Sequence, residues 1–301
     1  MTREEKSSKY QKDIDIITSR EERKKIVLLV LKILFFIILL FILFYFFTTY
    51  VSNSLVIVKE NRITNKKIPD EFNSVKIIQF SDLLYGSNIS NKEVKKVVDI
   101  INERKPDLVL FTGNLLDEDY EISNKNQEKL INYLNSIDDT IGKYSVLGSY
   151  DVEEKFRTIM NQSGFIILSN SSEKIYNNGD EYIKLVGLDS LVNEMRDIDE
   201  AFSDNDNNTY TITIMNETGD INDVLKKKPD LVLAGGNLNG TIRFPLVGGI
   251  IKKKGSRVYT DPHYKKNNTD IYISSGIGTN EIGIRFNNQP SINLFRLEKN
   301  S

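Results

Sequence analysis

The chain has 301 residues, 40% of them apolar and 27% charged, enough for one large globular domain with a buried core plus an appendage. Its formal charge is only −2, with acids and bases interspersed beyond residue 60, so composition gives no electrostatic ground for nucleic-acid binding. Cysteine is absent and His263 is the one histidine, which excludes disulfides, thiolate metal sites and any site needing two imidazoles.

Residues 1–25 are charged, show little apolar periodicity, and read as a disordered or surface-lying cytoplasmic tail. Ile26 to Phe47 is an apolar run broken only by Lys32, and its 22 residues suffice to cross a hydrocarbon core, which takes roughly 20 in a helix. Lys32 lies near the basic end and can snorkel to the headgroups. Eight Lys or Arg precede the run and none directly follows it, so the positive-inside rule keeps the N-terminus in the cytoplasm and sends the rest outside. The bulky Phe46-Phe47-Thr48-Thr49-Tyr50 offers no small-residue cleavage site, which favours an uncleaved signal-anchor over a removed leader. The expected division is a tail at 1–25, a transmembrane helix at 26–47, a linker with a short strand at 48–73, and a globular domain at 74–301.

Leu55-Val56-Ile57-Val58 reads as that short strand before a polar turn, and Val75 to Phe80 as a buried strand running into Ser81-Asp82-Leu83-Leu84-Tyr85-Gly86. Ligands of open α/β sheets bind outside the carboxyl ends of the strands, so this loop is expected at the mouth of a pocket. Ser90-Asn91-Lys92-Glu93 is a capping-box pattern, and Val94, Val97, Val98 and Ile101 share one face of the helix behind it. A strand at Leu108 to Thr112, a helix burying Leu130, Ile131, Leu134 and Ile137, and a strand at Tyr144 to Leu147 complete an alternating pattern that implies a largely parallel sheet.

In the second half, Asn177-Asn178-Gly179-Asp180 is a hairpin turn, which introduces antiparallel pairing. Asp204 to Asn208 lacks the glycine and distal glutamate of a calcium loop and reads as a solvated turn. Strands are expected at Tyr210 to Met215, Leu231 to Leu233, Ile271 to Ser275, Gly283 to Phe286 and Ile292 to Leu297. One segment recurs: Lys105-Pro106-Asp107-Leu108-Val109-Leu110 ending in Gly113-Asn114, and Lys228-Pro229-Asp230-Leu231-Val232-Leu233 ending in Gly236-Asn237. Two readings stand: two similar sheet halves meeting at one cleft, or one common strand-loop unit used twice.

The loops Ser81 to Leu84, Thr112-Gly113-Asn114, Gly148-Ser149-Tyr150-Asp151, Met215-Asn216-Glu217 and Gly235 to Gly240, in that order, resemble those of the calcineurin-like metallophosphoesterases, above all a membrane-anchored bacterial branch. The likeness covers about residues 74–298 and includes Thr241 to Pro245, Gly276 to Thr279 and Ile284-Arg285-Phe286. It implies an α/β four-layer sandwich, two mixed β-sheets flanked by helices. In that family the loops hold two divalent metals such as Mn, Fe or Zn. Carried over position by position, the metal and contact positions fall on Asp82, Leu84, Asn114, Ser149, Tyr150, Asn216, Gly236 and Leu238, and only Asp82 keeps the residue of the family motif. A bridging carboxylate offsets the repulsion between two cations, and Asn114 is neutral; Leu84, Leu238 and Gly236 have no side-chain electron pair to donate.

The resemblance therefore implies a pseudoenzyme: a membrane-tethered, non-catalytic module with no bound cofactor, binding an unknown protein or an anionic ligand through its glycine loops. A second reading keeps a divalent-metal-dependent phosphoesterase that recruits Asp151, Glu217 or Asp117 as substitute ligands. A third, nucleophilic attack by Ser149, needs a base, and His263 lies in what reads as a solvated surface turn.

Overall fold

The computed structural model describes residues 3–51, 55–86, 88–204, 206–250, 253–279 and 283–300. It divides into two compact units, Met1–Thr48 and Thr49–Ser301. The first unit is one helix, α1 (Arg3–Phe46), ending in a π-helical turn, Phe47–Val51. Residues 1–25, expected to be disordered or surface-lying, instead continue the helix from Arg3, since Lys, Glu and Gln are good helix formers and no Gly or Pro interrupts them. Thr18–Thr49 is long and apolar enough to cross a membrane, and its apolar side chains stay exposed.

The second unit runs β1 (Ile57–Asn65), β2 (Lys76–Phe80), α2 (Asn91–Glu103), β3 (Leu108–Phe111), α3 (Asn124–Asn135), β4 (Gly142–Ser145), α4 (Glu153–Gln162), β5 (Ile166–Ile167), β6 (Ser171–Tyr176) and β7 (Tyr182–Gly187). It continues with α5 (Ile198–Ala201), β8 (Thr211–Met215), α6 (Ile221–Lys226), β9 (Leu231–Ala234), β10 (Arg243–Phe244), β11 (Gly248–Gly249), β12 (His263–Lys266), β13 (Thr269–Ile273) and β14 (Ser291–Lys299). Two six-stranded sheets form, in the orders β1-β14-β2-β3-β4-β5 and β12-β13-β9-β8-β7-β6. Both are mixed: β14–β2, β6–β7 and β12–β13 are antiparallel, the other pairings within them parallel.

Strand periodicity of two sorts the side chains into layers. Ile77, Leu108 and Leu110 of the first sheet meet Leu185, Ile212, Ile214, Leu231 and Leu233 of the second in a shared core. Their neighbours Ile78, Phe80, Val109 and Phe111 face the other way, onto Val94, Val98, Ile101, Leu130, Phe156 and Met160 of α2–α4. On the far side Met215, Val232 and Ile273 pack on Ile221 and Val224 of α6. The result is helices, sheet, sheet, helices: a four-layer sandwich.

The recurrent segment occupies matching central places in the two sheets. Asp107 N–H donates to Lys76 O at 2.9 Å while its carboxylate receives Lys76 N–H at 2.8 Å; Asp230 makes the same pair with Thr211, at 2.9 and 3.0 Å. Each aspartate fixes the register of its strand against the preceding one. Two expectations fail here. β1 is nine residues long, because its polar residues ride on an edge strand paired along its whole length with β14, so the globular unit takes in a stretch assigned to a linker. Gly283 to Phe286 forms no strand; Phe286 makes a single bridge to Ile242, and Arg285 turns inward.

Candidate functional site

At the carboxyl ends of β2, β3, β8 and β9 the two sheets bring one polar cluster together. The backbone leaves β2 through left-handed Asp82 (φ 49°) and Leu84 (φ 47°). It leaves β3 through Asn114 (φ 62°) and passes Leu238 (φ 55°) and Asn239 (φ 52°) beyond β9. A leucine in this region carries strain of about 1–2 kcal/mol, and such residues gather at sites whose loops are shaped for something other than folding.

Asp82 is fully buried. Its Oδ1 accepts from Asn114 Nδ2 at 2.8 Å, and its Oδ2 accepts from Ser81 Oγ at 2.5 Å and from Gly236 N–H at 3.0 Å. Asn114 Nδ2 also donates to Asn216 Oδ1 at 3.2 Å, and Asn216 Nδ2 donates to Thr112 O at 2.5 Å. Tyr150 N–H donates to Asn114 Oδ1 at 3.0 Å, which fixes the amide with its NH2 toward Asp82. One carboxylate and two amides thus close a network that links both sheets.

Leucines fill the space around it. A Cβ on Gly276 (φ 67°) would lie 2.3 Å from Leu238 Cδ2 and 2.9 Å from Asp82 Cβ, and one on Gly278 would lie 2.6 Å from Leu84 Cβ. Gly276 and Gly278 therefore let the buried Leu238 and Leu84 close against the Asp82 loop. Asp82, Leu84, Asn114, Asn216, Gly236 and Leu238 lie together at this end of the two sheets. Ser149 and Tyr150 stand at the rim, lining with Leu115 to Glu121 and Lys155 a cavity of about 330 Å³.

Three features were not legible beforehand. Asp151 ties loops together, accepting Asn114 N–H and Gly148 N–H at 2.8 Å and Leu115 N–H at 2.7 Å. Burial, reinforced by the charge of Asp82, pushes its carboxyl up to about 7 against the pull of those three donors. Arg285 is fully buried and donates to Ser275 O at 2.7 Å, to Gly276 O, to Gly278 O and to Asn288 O at 3.1 Å. Burial draws its guanidinium down to about 9, partly offset by Asp82, while burial and the nearby Arg285 draw Lys59 down to about 8. Glu217 is paired with Arg196 at 3.0 Å, both fully enclosed, and receives Ser190 Oγ at 2.8 Å and Leu191 N–H at 3.0 Å. Burial pushes the Glu217 carboxyl up and Arg196 pulls it back. In the sequence Arg285 stands out only within the segment Ile284-Arg285-Phe286, with no role attached, and nothing there marks Arg196.

His263 is not in a turn. It sits on edge strand β12, hydrogen-bonded to Asp270 at 3.0 Å and stacked on Tyr272, so Ser149 gains no base from it. Among the described residues, no three His, Asp or Glu side chains converge as a metal-holding group.

Residues 75–276 match the family model for calcineurin-like phosphoesterases. The chain belongs to this family. A metallophosphoesterase of Bacillus subtilis, YkuE, itself uncharacterized, is 26% identical over 253 residues, covering 83% of this chain and 88% of its own. A zebrafish transmembrane protein with a metallophosphoesterase domain is 24% identical over 251 residues; the alignment covers 78% of this chain but only 56% of that protein. Among solved structures, the NAD nucleotidase of Haemophilus influenzae superposes with a TM-score of 0.45 at 12% identity, covering 67% of this chain and 45% of that one. The metallophosphoesterase assignment accounts for the two mixed sheets and for loops that meet at their carboxyl ends.

Proposed function

We propose that this chain is a membrane-anchored metallophosphoesterase-fold protein without a working di-metal centre, acting as a binding or scaffolding module. The observation that carries this reading is the set of donors turned onto Asp82. Its carboxylate accepts from Asn114 Nδ2, Ser81 Oγ and Gly236 N–H, so donor hydrogens stand where a cation would approach. A di-metal hydrolase needs the opposite polarity: a bridging anion and lone pairs turned inward to lower the pKa of a shared water. Asn114 supplies a neutral amide with its NH2 turned in, Leu84 and Leu238 supply no lone pair, and Gly236 supplies a hydrogen. The donors present do not fit two divalent metals.

Two of the three candidate substitutes have other work. Asp151 holds three backbone N–H groups and Glu217 is held by Arg196, Ser190 and Leu191. The apolar helix and the transmembrane naming of a relative support a single-pass anchor, and the basic flank before residue 26 supports a cytoplasmic N-terminus with the globular unit outside. The ligand on this reading is a protein or an anion bound at the glycine loops, not a nucleic acid. The test is elemental analysis of the full chain after dialysis against manganese and zinc, together with aryl phosphodiester hydrolysis. The reading expects substoichiometric metal, turnover at the buffer blank, and melting unchanged by a chelator. Two bound equivalents with manganese-dependent turnover establish the phosphoesterase reading instead.

A further inference from the structure

The β10–β11 hairpin pairs Arg243 with Gly249 and Phe244 with Gly248, leaving Pro245-Leu246-Val247 as its tip. Leu246 is fully exposed and also left-handed, at φ 69°. A turn position of that conformation ordinarily takes Gly or Asn, which carry no strain there. Leucine at this place is unfavourable in backbone and in hydration, and the fold gains no packing from it. Phe244, Val247, Ile250 and Val258 are also exposed. Phe244 leans on Phe286 with centroids 5.6 Å apart, which props the hairpin rather than burying it.

Charge gives this apolar surface its partner. Residues 241–260 hold five bases, Arg243, Lys252, Lys253, Lys254 and Arg257, and no acid, in a chain whose net charge is −2. Arg243 is engaged by Asp261 and by the carbonyls of Asn239 and Thr260, and Lys253 Nζ lies over the Tyr150 ring. Lys254 and Arg257 are exposed. Exposed aliphatics and exposed bases close together in sequence, with no acid between them, are the composition of a segment that settles into the headgroup zone of an anionic bilayer. A second copy of the chain fits less well, since a two-fold contact through this hairpin would set like charges opposite one another.

We propose that the β10–β11 hairpin is a membrane-contact element, its Pro245-Leu246-Val247 tip entering the interfacial zone of an anionic lipid surface while Lys254 and Arg257 meet lipid phosphates. Alone, one short apolar tip binds a membrane weakly; an anchored chain raises its effective concentration at the surface, so few contacts suffice. The inference rests on the membrane anchor of the proposed function and not on whether the Asp82 cluster holds metal.

Because the chain has neither cysteine nor tryptophan, one introduced cysteine carries a unique label. Full-length Leu246→Cys and Tyr176→Cys, the latter on edge strand β6, are labelled with an environment-sensitive fluorophore and reconstituted into vesicles of phosphatidylglycerol and phosphatidylcholine, with and without nitroxide-bearing lipid. The Leu246 label should emit to the blue and lose about two-fold in intensity to a shallow nitroxide, and the Tyr176 label should not. Raising salt, or replacing phosphatidylglycerol with phosphatidylcholine, should reduce the quenching. Equal quenching at the two positions, a blue shift without quenching, or quenching indifferent to lipid charge overturns the proposal; the second of these results indicates burial of the hairpin against protein, its own or a second copy's.

Discussion

Asn114→Asp tests the polarity of the central network directly. The substitution replaces the NH2 that donates to Asp82 at 2.8 Å and to Asn216 at 3.2 Å with an oxygen, and leaves the acceptor used by Tyr150 N–H in place. Two carboxylates at this separation repel by about 6 kcal/mol at an effective dielectric constant of ~20, so the buried pair retains one proton. The folded state then holds a proton that the unfolded chain releases near pH 4, and stability falls as pH rises through the folded value. Relative to the parent, the variant should lose about 1 kcal/mol at pH 5 and about 3–5 kcal/mol at pH 8, a drop in Tm on the order of 10 °C. Near-ultraviolet circular dichroism of the tyrosines reports the globular unit during melting. Manganese should restore little, because Leu84, Leu238 and Gly236 still offer no lone pair. A variant deficit that does not grow with pH, or one that manganese abolishes, refutes the reasoning.

Two further substitutions follow from the same geometry. Asp151 keeps its proton to about pH 7 in the folded chain and loses it near 4 when unfolded, so its contribution to stability declines between those values and is flat above. Asp151→Asn weakens the clamp on three backbone donors at every pH, yet its deficit relative to the parent should be smaller at pH 8 than at pH 5 in parallel denaturant titrations. Gly276→Ala places a methyl 2.3 Å from Leu238 Cδ2 at φ 67° and should lower stability by about 2–4 kcal/mol. Leu238→Ala opens the space, so in the double variant the two effects should couple by more than about 1 kcal/mol; strict additivity counts against the packing described.

The parts of the fold that sequence made plain are those where one chemical rule acts alone. The Ser90 cap with Glu93 predicts α2 because the box satisfies helix donors locally, and both of its bonds are present. β3 and β9 are legible because a proline stops the preceding helix, an aspartate sets register and four buried apolar residues follow. β1 was cut short because its polar residues are tolerated only through pairing with β14, more than two hundred positions away. The same limit hid the roles of Asp151, Arg196 and Arg285: each acts on backbone or charge from distant loops, and local pattern carries no trace of that. Loop order singles out Asp82, Asn114, Asn216, Gly236 and Leu238, whereas the direction of their hydrogen bonds is set by contacts between distant loops that no local pattern carries.

The seating of β14 between β1 and β2 has a consequence for biogenesis. β14 is made after every other described strand and joins the first two, pairing with β1 in parallel from Ile57 to Asn65 and with β2 from Lys76 to Gln79. Until Lys299 has been made, a nascent chain carries β1 without its neighbour and β2 with one open edge, both able to recruit another chain. Truncation near residue 290 would remove β14 and leave β1 without its partner, giving a polypeptide prone to aggregate.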